Sequence, residues 1–475
     1  MNATPSIRKN YIYNLIYQVL TLLTPFITTP YISRVIGPEG TGIQSYTNSV
    51  VQYFAIVAAL GTTSYGQREI ARHRDDREMR SRLFWEIEIL CGITTSICLG
   101  VWAGVILFSR EYTAFYLVLT MNLLAVAFDI SWFFGGLEQY AAIVTRNIGV
   151  KITGIICLFA FIKSREDLLL YVAVLAGTTL LGNLSMWGYL KGFLTKTDIR
   201  SFRIKRHLKE TMVYFIPTVA TSVYIILDKT MLGWFTGNNK SQNGYYEYAT
   251  GIVNMGKILI VSFNTVMSSR MSYLFAEENT QEIHNMIEAS LDFVMLIGMP
   301  VTMGLAGIAS GFIPWFLGDR YQPVVTLLYI CCPLVLIVGL SDCMGSQLLT
   351  PGGKRAQSGK VIVAGAVVNA MLNMVMIPRF QAAGASMASV IAELVISGRY
   401  LWLCRDYINL STIWKSGWRR LLAATIMLLF VIGIGRRISL GLFATLVQIG
   451  GGALLYFGIL FLLRDKFLVR RLWKK

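Results

Sequence analysis

Residues 11–33 read YIYNLIYQVLTLLTPFITTPYIS. The stretch is apolar for long enough to cross a bilayer, which takes a helix of about 20 residues. Within it Asn14, Gln18, Thr21, Pro25 and Thr28 recur at spacings of 4, 3, 4 and 3, which places them along one helix face. A threonine hydroxyl can bond back to its own helix. Asn14 and Gln18 do so less easily, and an unpaired buried amide costs about 1–3 kcal/mol. The stripe therefore predicts a membrane helix that faces either water or tightly packed polar neighbours. The water-filled arrangement, a central cavity between two halves of the chain, satisfies every stripe in the sequence at once.

The rest of the chain repeats the apolar part of this pattern. Of its 475 residues 55% are hydrophobic and only 15% charged, against about 25% charged in an average soluble domain. Continuous apolar runs place spans near 11–33, 42–66, 84–108, 112–135, 141–162, 168–190, 212–235, 246–269, 287–309, 324–349, 359–377, 384–404, 421–435 and 440–463. The expectation is an all-α polytopic membrane protein of about 14 transmembrane helices. The loops left over are too short for a soluble catalytic domain. Unbroken apolar runs exclude an outer-membrane barrel, whose strands alternate. The first run is too long for a signal peptide and no small-residue cleavage site follows it, so it is expected to stay as an anchor.

Lysine and arginine set the orientation. With the N-terminus inside, tails 1–10 and 464–475 and loops 68–82, 191–210, 350–360 and 405–420 hold 28 of them, against 9 on the opposite side. Both termini are thus expected in the cytoplasm. The same bias explains most of the net charge of +17, so no nucleic-acid partner is needed. A faint repeat accompanies it. At an offset of 200 the first stripe is answered by Tyr214, Thr218, Thr221 and Asp228, and Gly37 by Gly237. At an offset of 202, Gly42, Tyr46, Gln52 and Arg68 meet Gly244, Tyr248, Asn254 and Arg270. Two six-helix lobes follow, residues 1–200 and 201–410, related by an axis along the membrane normal. Two further helices and a basic tail occupy 411–475.

Charged residues inside a bilayer cost about 2.5–3.5 kcal/mol or more, so they mark cavities or partners. The candidates are Glu86, Glu88, Asp129, Lys151, Asp228, Lys229, Lys257, Asp292, Asp342 and Glu393. Glu86 and Glu88, near a cytoplasmic end, are expected to snorkel. Asp129, Asp228 and Asp292 are the candidates for ion coupling, with proton or sodium as the ion. Arg68 and Arg270, at matching ends of two spans, together with Arg146, Lys151 and Lys257, are either positive-inside anchors or a basic site for an anionic headgroup. Arginine pairs with phosphate bidentately. Asn14 and Gln18 are the candidate sugar contacts. The seven cysteines are scattered, and His73, His207 and His284 do not converge with them, so neither a metal site nor a cofactor is expected. No Walker spacing is present, and no acid–base constellation suggests an enzyme.

Several ordered motifs carry a family resemblance. PYISRVIGPEGTGIQSYTNSVVQYFAIVAALGTTSYGQREIARHRDD (30–76), FDISWFFGGLEQY (128–140), LDKTMLG (227–233) with NGYYEYA (243–249), and the segment 347–393 beginning QLLTPGGKRAQSGK resemble polysaccharide-biosynthesis flippases. These are the Wzx-like transporters of O-antigen and capsule repeat units. Ser269 stands before Arg270 where that family often has proline. The resemblance implies the fold of the multidrug/oligosaccharidyl-lipid/polysaccharide exporter superfamily, two six-helix lobes around a central cavity. It implies a substrate, an oligosaccharide on undecaprenyl pyrophosphate, flipped by alternating access in a bacterial cytoplasmic membrane. Membrane lipids, and a glycan polymerase with its export machinery, are the further partners it suggests. A drug/cation antiporter of the same superfamily and, more remotely, a membrane glycan polymerase or ligase remain as alternatives.

Overall fold

A computed structural model describes residues 7–198, 202–438 and 441–465. Among them there is no strand, and ten helices are long and apolar enough to cross a membrane. Contacts divide the chain into two compact units, Met1–Thr230 and Met231–Lys475.

The first unit runs through α1 (Ile7–Ala59), α2 (Thr62–Arg72), α3 (Arg77–Phe108), α4 (Thr113–Ala127), α5 (Ser131–Gly136), α6 (Tyr140–Phe161), α7 (Leu168–Met186) and most of α8 (Ile204–Phe235). α1 is two helices joined at Gly37, where φ is 76° and ψ 176°. That conformation is open to glycine, and Pro38 pre-sets the first turn of the second piece. Asp76 starts α3 by accepting the amides of Glu78 and Met79 at 3.1 and 2.9 Å, the ordinary N-cap arrangement. α4 and α5 form one crossing interrupted at 128–130. The short α5 is almost wholly buried. Its Trp132, Phe133 and Phe134 pack with Phe84 of α3 and Tyr65 of α2. α2 lies so close to α5 that a Cβ on Gly136 would sit 2.8 Å from the Gln67 carbonyl oxygen. Contact at that range fixes α2, and with it Arg68.

The second unit holds α9 (Ser241–Ala276), α10 (Thr280–Leu317), α11 (Pro323–Cys331), α12 (Leu334–Met344), α13 (Arg355–Leu403), α14 (Leu410–Gly435) and α15 (Leu442–Leu462). α11, α12 and the wide turn Gly345–Leu349 make one broken crossing. Pro333 sits at its break. α13 is divided at Gln381, with φ 52° and ψ −128°. Its halves run back along each other: Ser358 and Tyr400 hydroxyls lie 2.7 Å apart, and a Cβ on Gly365 would meet the Ile396 side chain at 2.4 Å. α14 and α15 are tied to α10 by polar as well as apolar contacts. The Trp315 indole donates to the Thr445 hydroxyl at 2.9 Å, and the Tyr456 hydroxyl donates to the Leu296 carbonyl at 3.0 Å.

Candidate functional site

The chain reverses between α1 and α2 at Leu60 and Gly61, both with positive φ. At Gly61 this is unavoidable. A Cβ there would lie 2.9 Å from the Thr211 carbonyl oxygen and the Phe215 amide nitrogen of α8. α8 thus passes directly against the reversal. Between the end of α1, the start of α2 and the middle of α8 an open cleft of about 420 Å³ remains. Gln52, Thr63, Ser64 and Ser222 supply its polar groups; alanine and isoleucine side chains line most of the remainder. Among the described residues, none that lines it is charged. An amide and three hydroxyls among small apolar side chains can exchange hydrogen bonds with a neutral polyol without imposing a charge.

Arg68 lies one helical turn beyond Ser64 on α2. It is exposed and donates to the Tyr214 hydroxyl on α8. That bond raises an already high pKa, so the guanidinium stays charged. A chain of buried groups behind it holds the start of α8. The Tyr65 hydroxyl lies 2.7 Å from His207 Nδ1, and His207 Nε2 lies 2.6 Å from Glu86 Oε2. Glu86 Oε1 accepts from Arg82 Nε at 3.0 Å and from the Arg203 amide at 2.7 Å. Burial pushes the Tyr65 phenol up to about 12, with Glu69 adding to the effect. At the far end of α8 the Thr230 hydroxyl donates to Ser49 on α1 at 2.9 Å.

The other sequence candidates fall in several places. Asn14 and Gln18 lie on α1, but their side chains are outside the described residues, as are those of Thr218 and Thr221. Arg146 donates to Asn183 at 2.7 Å, which in turn donates to the Ala125 carbonyl, linking α6, α7 and α4. Lys151 is half-buried on α6. Asp129 accepts the Ser131 amide at 3.0 Å and so starts α5; it also faces the carboxyl of Glu88 electrostatically. Asp228 is buried on α8. Glu86 and Glu88 do not snorkel. They are 3% and 7% exposed, because α3 continues to Arg77 and turns both inward, against α8 and the α4–α5 break respectively.

In the second unit Lys257 is half-buried with Glu393 as a charged neighbour. Arg270 is exposed, its guanidinium 5.0 Å from the centre of the Tyr273 ring. Asp292 meets Arg420 at 2.9 Å, and Arg420 also engages Asp465 at 3.1 Å. Asp342 accepts from Asn264 at 2.9 Å, and Asn264 accepts from Gln347 at 3.0 Å. Among the described residues no group of histidine, cysteine and acidic side chains is placed to hold a metal ion.

Residues 7–275, which include every residue of the cleft, match the family described as polysaccharide biosynthesis protein. The chain belongs to that family. This polysaccharide biosynthesis protein is similar to a candidate O-antigen transporter of Escherichia coli (strain K12), 22% identical over 84% of this chain and 97% of that one. A protein of the same description from Shigella dysenteriae is 23% identical over 82% and 98%. Among solved structures, the lipid II flippase MurJ in an inward closed conformation superposes with a TM-score of 0.73 at 16% identity, covering 96% of this chain and 99% of that one. An inward-facing multidrug resistance MATE family transporter of the MOP superfamily superposes at 0.63 and 14% identity, covering 84% and 96%. These likenesses fix the fold as that of polytopic transporters, and the relatives are transporters rather than enzymes.

Sequence reasoning singled out Arg68 as a candidate headgroup contact and gave Tyr214 and Gln52 as positions of the internal repeat. It missed Thr63, Ser64 and Ser222, whose short hydroxyls look like any helix start. It also missed the Tyr65–His207–Glu86 chain, because its members are far apart in sequence and only α8 brings them together. The one available signal was a glutamate pair in an apolar run with a histidine beginning another.

Proposed function

We propose that this protein flips lipid-linked oligosaccharides from the cytoplasmic to the outer leaflet of a bacterial cytoplasmic membrane by alternating access. The observation that carries the reading is the cleft itself: uncharged hydrogen-bonding groups and small apolar side chains, with the permanent cation of Arg68 one turn away. A glycan of several sugars carries on the order of ten hydroxyls, each costing about 1–3 kcal/mol if left unmatched in hydrocarbon. The summed barrier of tens of kcal/mol makes unaided crossing negligible. Gln52, Thr63, Ser64 and Ser222 replace part of the lost hydration, and the prenyl tail stays in lipid.

The finer reading is an undecaprenyl-pyrophosphate carrier whose phosphates approach Arg68, with Asn14 and Gln18 as further sugar contacts. An intramembrane acid, for which the Glu88–Asp129 neighbourhood is the best placed, couples flipping to a proton or sodium gradient. Reading α1 and α13 each as two crossings, α4–α5 as one and α11–α12 as one, and leaving out the short α2, gives fourteen crossings among the described residues. An even number puts both termini on the same side, and the positive-inside bias makes that side the cytoplasm. The likeness to a drug transporter fold supports a second reading, a drug/cation antiporter, but a cleft whose described lining holds no carboxylate suits a neutral glycan better than a cation. Flipping of a fluorescent lipid-linked oligosaccharide in proteoliposomes decides between them. Faster movement than in empty vesicles, reduced by Gln52→Leu and by Arg68→Ala, is expected. No acceleration under any ion gradient refutes the proposal.

A further inference from the structure

The two antiparallel halves of α13 enclose a groove of about 600 Å³ that shares no residue with the transport cleft. Ser358 and Tyr400 close its back through their hydroxyl contact, and the close approach of Gly365 to Ile396 closes it further along the pair. Val361, Val395 and Leu403 line its apolar wall. Lys360 and Arg399 line the same groove, both exposed, and among the described residues no acidic side chain does. Trp402, half exposed at the end of the hairpin, takes the Arg399 guanidinium 4.1 Å above its ring and Arg405 at 5.3 Å. The start of the first half adds Lys354 and Arg355.

Each part has a membrane meaning. A tryptophan at the end of a long apolar helix sits at headgroup level. Stacking on its face restricts the arginine and leaves the guanidinium edge available for bidentate bonds. Basic groups set between transmembrane helices at that depth attract anionic headgroups, at about 1 kcal/mol for each lysine or arginine near the surface. The apolar wall below them runs in the direction an acyl chain would take.

We infer that the α13 groove is a binding site for an anionic phospholipid of the surrounding bilayer, its phosphodiester on Lys360 and Arg399 and one acyl chain along Val361 and Val395. The inference stands apart from the transported substrate and holds whichever glycan is carried.

The test uses the full-length protein purified from vesicles of phosphatidylcholine and phosphatidylglycerol in equal amounts, with retained lipid read by native mass spectrometry. The wild type is expected to keep phosphatidylglycerol in preference to phosphatidylcholine. The Lys360→Gln/Arg399→Gln variant is expected to lose that preference by about 30-fold, roughly fivefold per basic group. Both positions are exposed, so an unchanged melting temperature in detergent confirms that the variant is folded; Trp402→Ala, which leaves both charges in place, should lower retention by a smaller factor. Equal retention of phosphatidylglycerol by wild type and double variant overturns the proposal. So does preferential retention of a prenyl pyrophosphate over phosphatidylglycerol at the same positions, which would make the groove part of the substrate path.

Discussion

Arg420→Met should destabilise the second unit sharply, and neutralising its partners as well should restore much of the loss. Arg420 is wholly buried on α14. Its Nε and Nη2 meet the two carboxylate oxygens of Asp465 at 3.1 and 3.3 Å, and its Nη1 donates to the carboxylate and the carbonyl of Asp292 at 2.9 and 2.7 Å. The Asp465 side chain is 1% exposed and that of Asp292 24%. One buried cation therefore bonds to a buried carboxylate and to a half-buried one. Removing it takes the guanidinium away from both carboxylates, and breaking a buried pair from one side costs about 3–5 kcal/mol. At about 2 °C per kcal/mol for a body of this size, the apparent melting temperature in detergent should fall by roughly 8 °C. Replacing all three together, Arg420→Met with Asp292→Leu and Asp465→Leu, removes the cation with both of its carboxylates and should melt within a few degrees of wild type, since apolar substitution of a buried ion cluster is often neutral. The comparison also weighs Asp292 as a coupling acid: if the triple variant keeps gradient-dependent flipping, Asp292 only anchors the C-terminal helix pair. The reasoning is refuted if the single and triple variants melt alike, or if Arg420→Met has no effect.

Three other outcomes follow from the geometry. Gln381→Gly should raise the melting temperature, because φ 52° with ψ −128° strains any residue with a Cβ by about 1–3 kcal/mol; a lower value would contradict the α13 hairpin. Gly136→Ala places a methyl group against the Gln67 carbonyl, at a cost of about 1–3 kcal/mol. Flipping should then fall along with stability as α2 shifts, and unaltered flipping would separate Arg68 from the site. The Tyr65 phenol, pushed up to about 12 by burial, is raised above its unfolded value, so its contribution is complete below pH 10 and fades as pH rises towards 12. Ultraviolet titration should show one phenolate that is absent in Tyr65→Phe and appears only in that window.

The sequence by itself determined the membrane class, the helical architecture and the approximate crossings. These depend on runs of apolar residues meeting a fixed bilayer thickness, a local property. It also placed a break between the runs 11–33 and 42–66, where α1 divides at Gly37, since glycine acts through its own backbone. Helix ends were less legible. α10 begins at Thr280 and ends at Leu317, beyond the apolar run 287–309, because hydrogen bonding continues a helix after hydropathy has fallen. Charged residues were legible as costly but not as paired. Glu86 reads the same whether it snorkels or meets His207, and Asp292 the same whether it binds an ion or Arg420. Partner choice depends on which distant helices pack together, as does the cleft built from Gln52, Ser64 and Ser222. Only the tertiary structure decides it, since electrostatic and hydrogen-bond energies fall off over a few ångströms in space and take no account of distance along the chain.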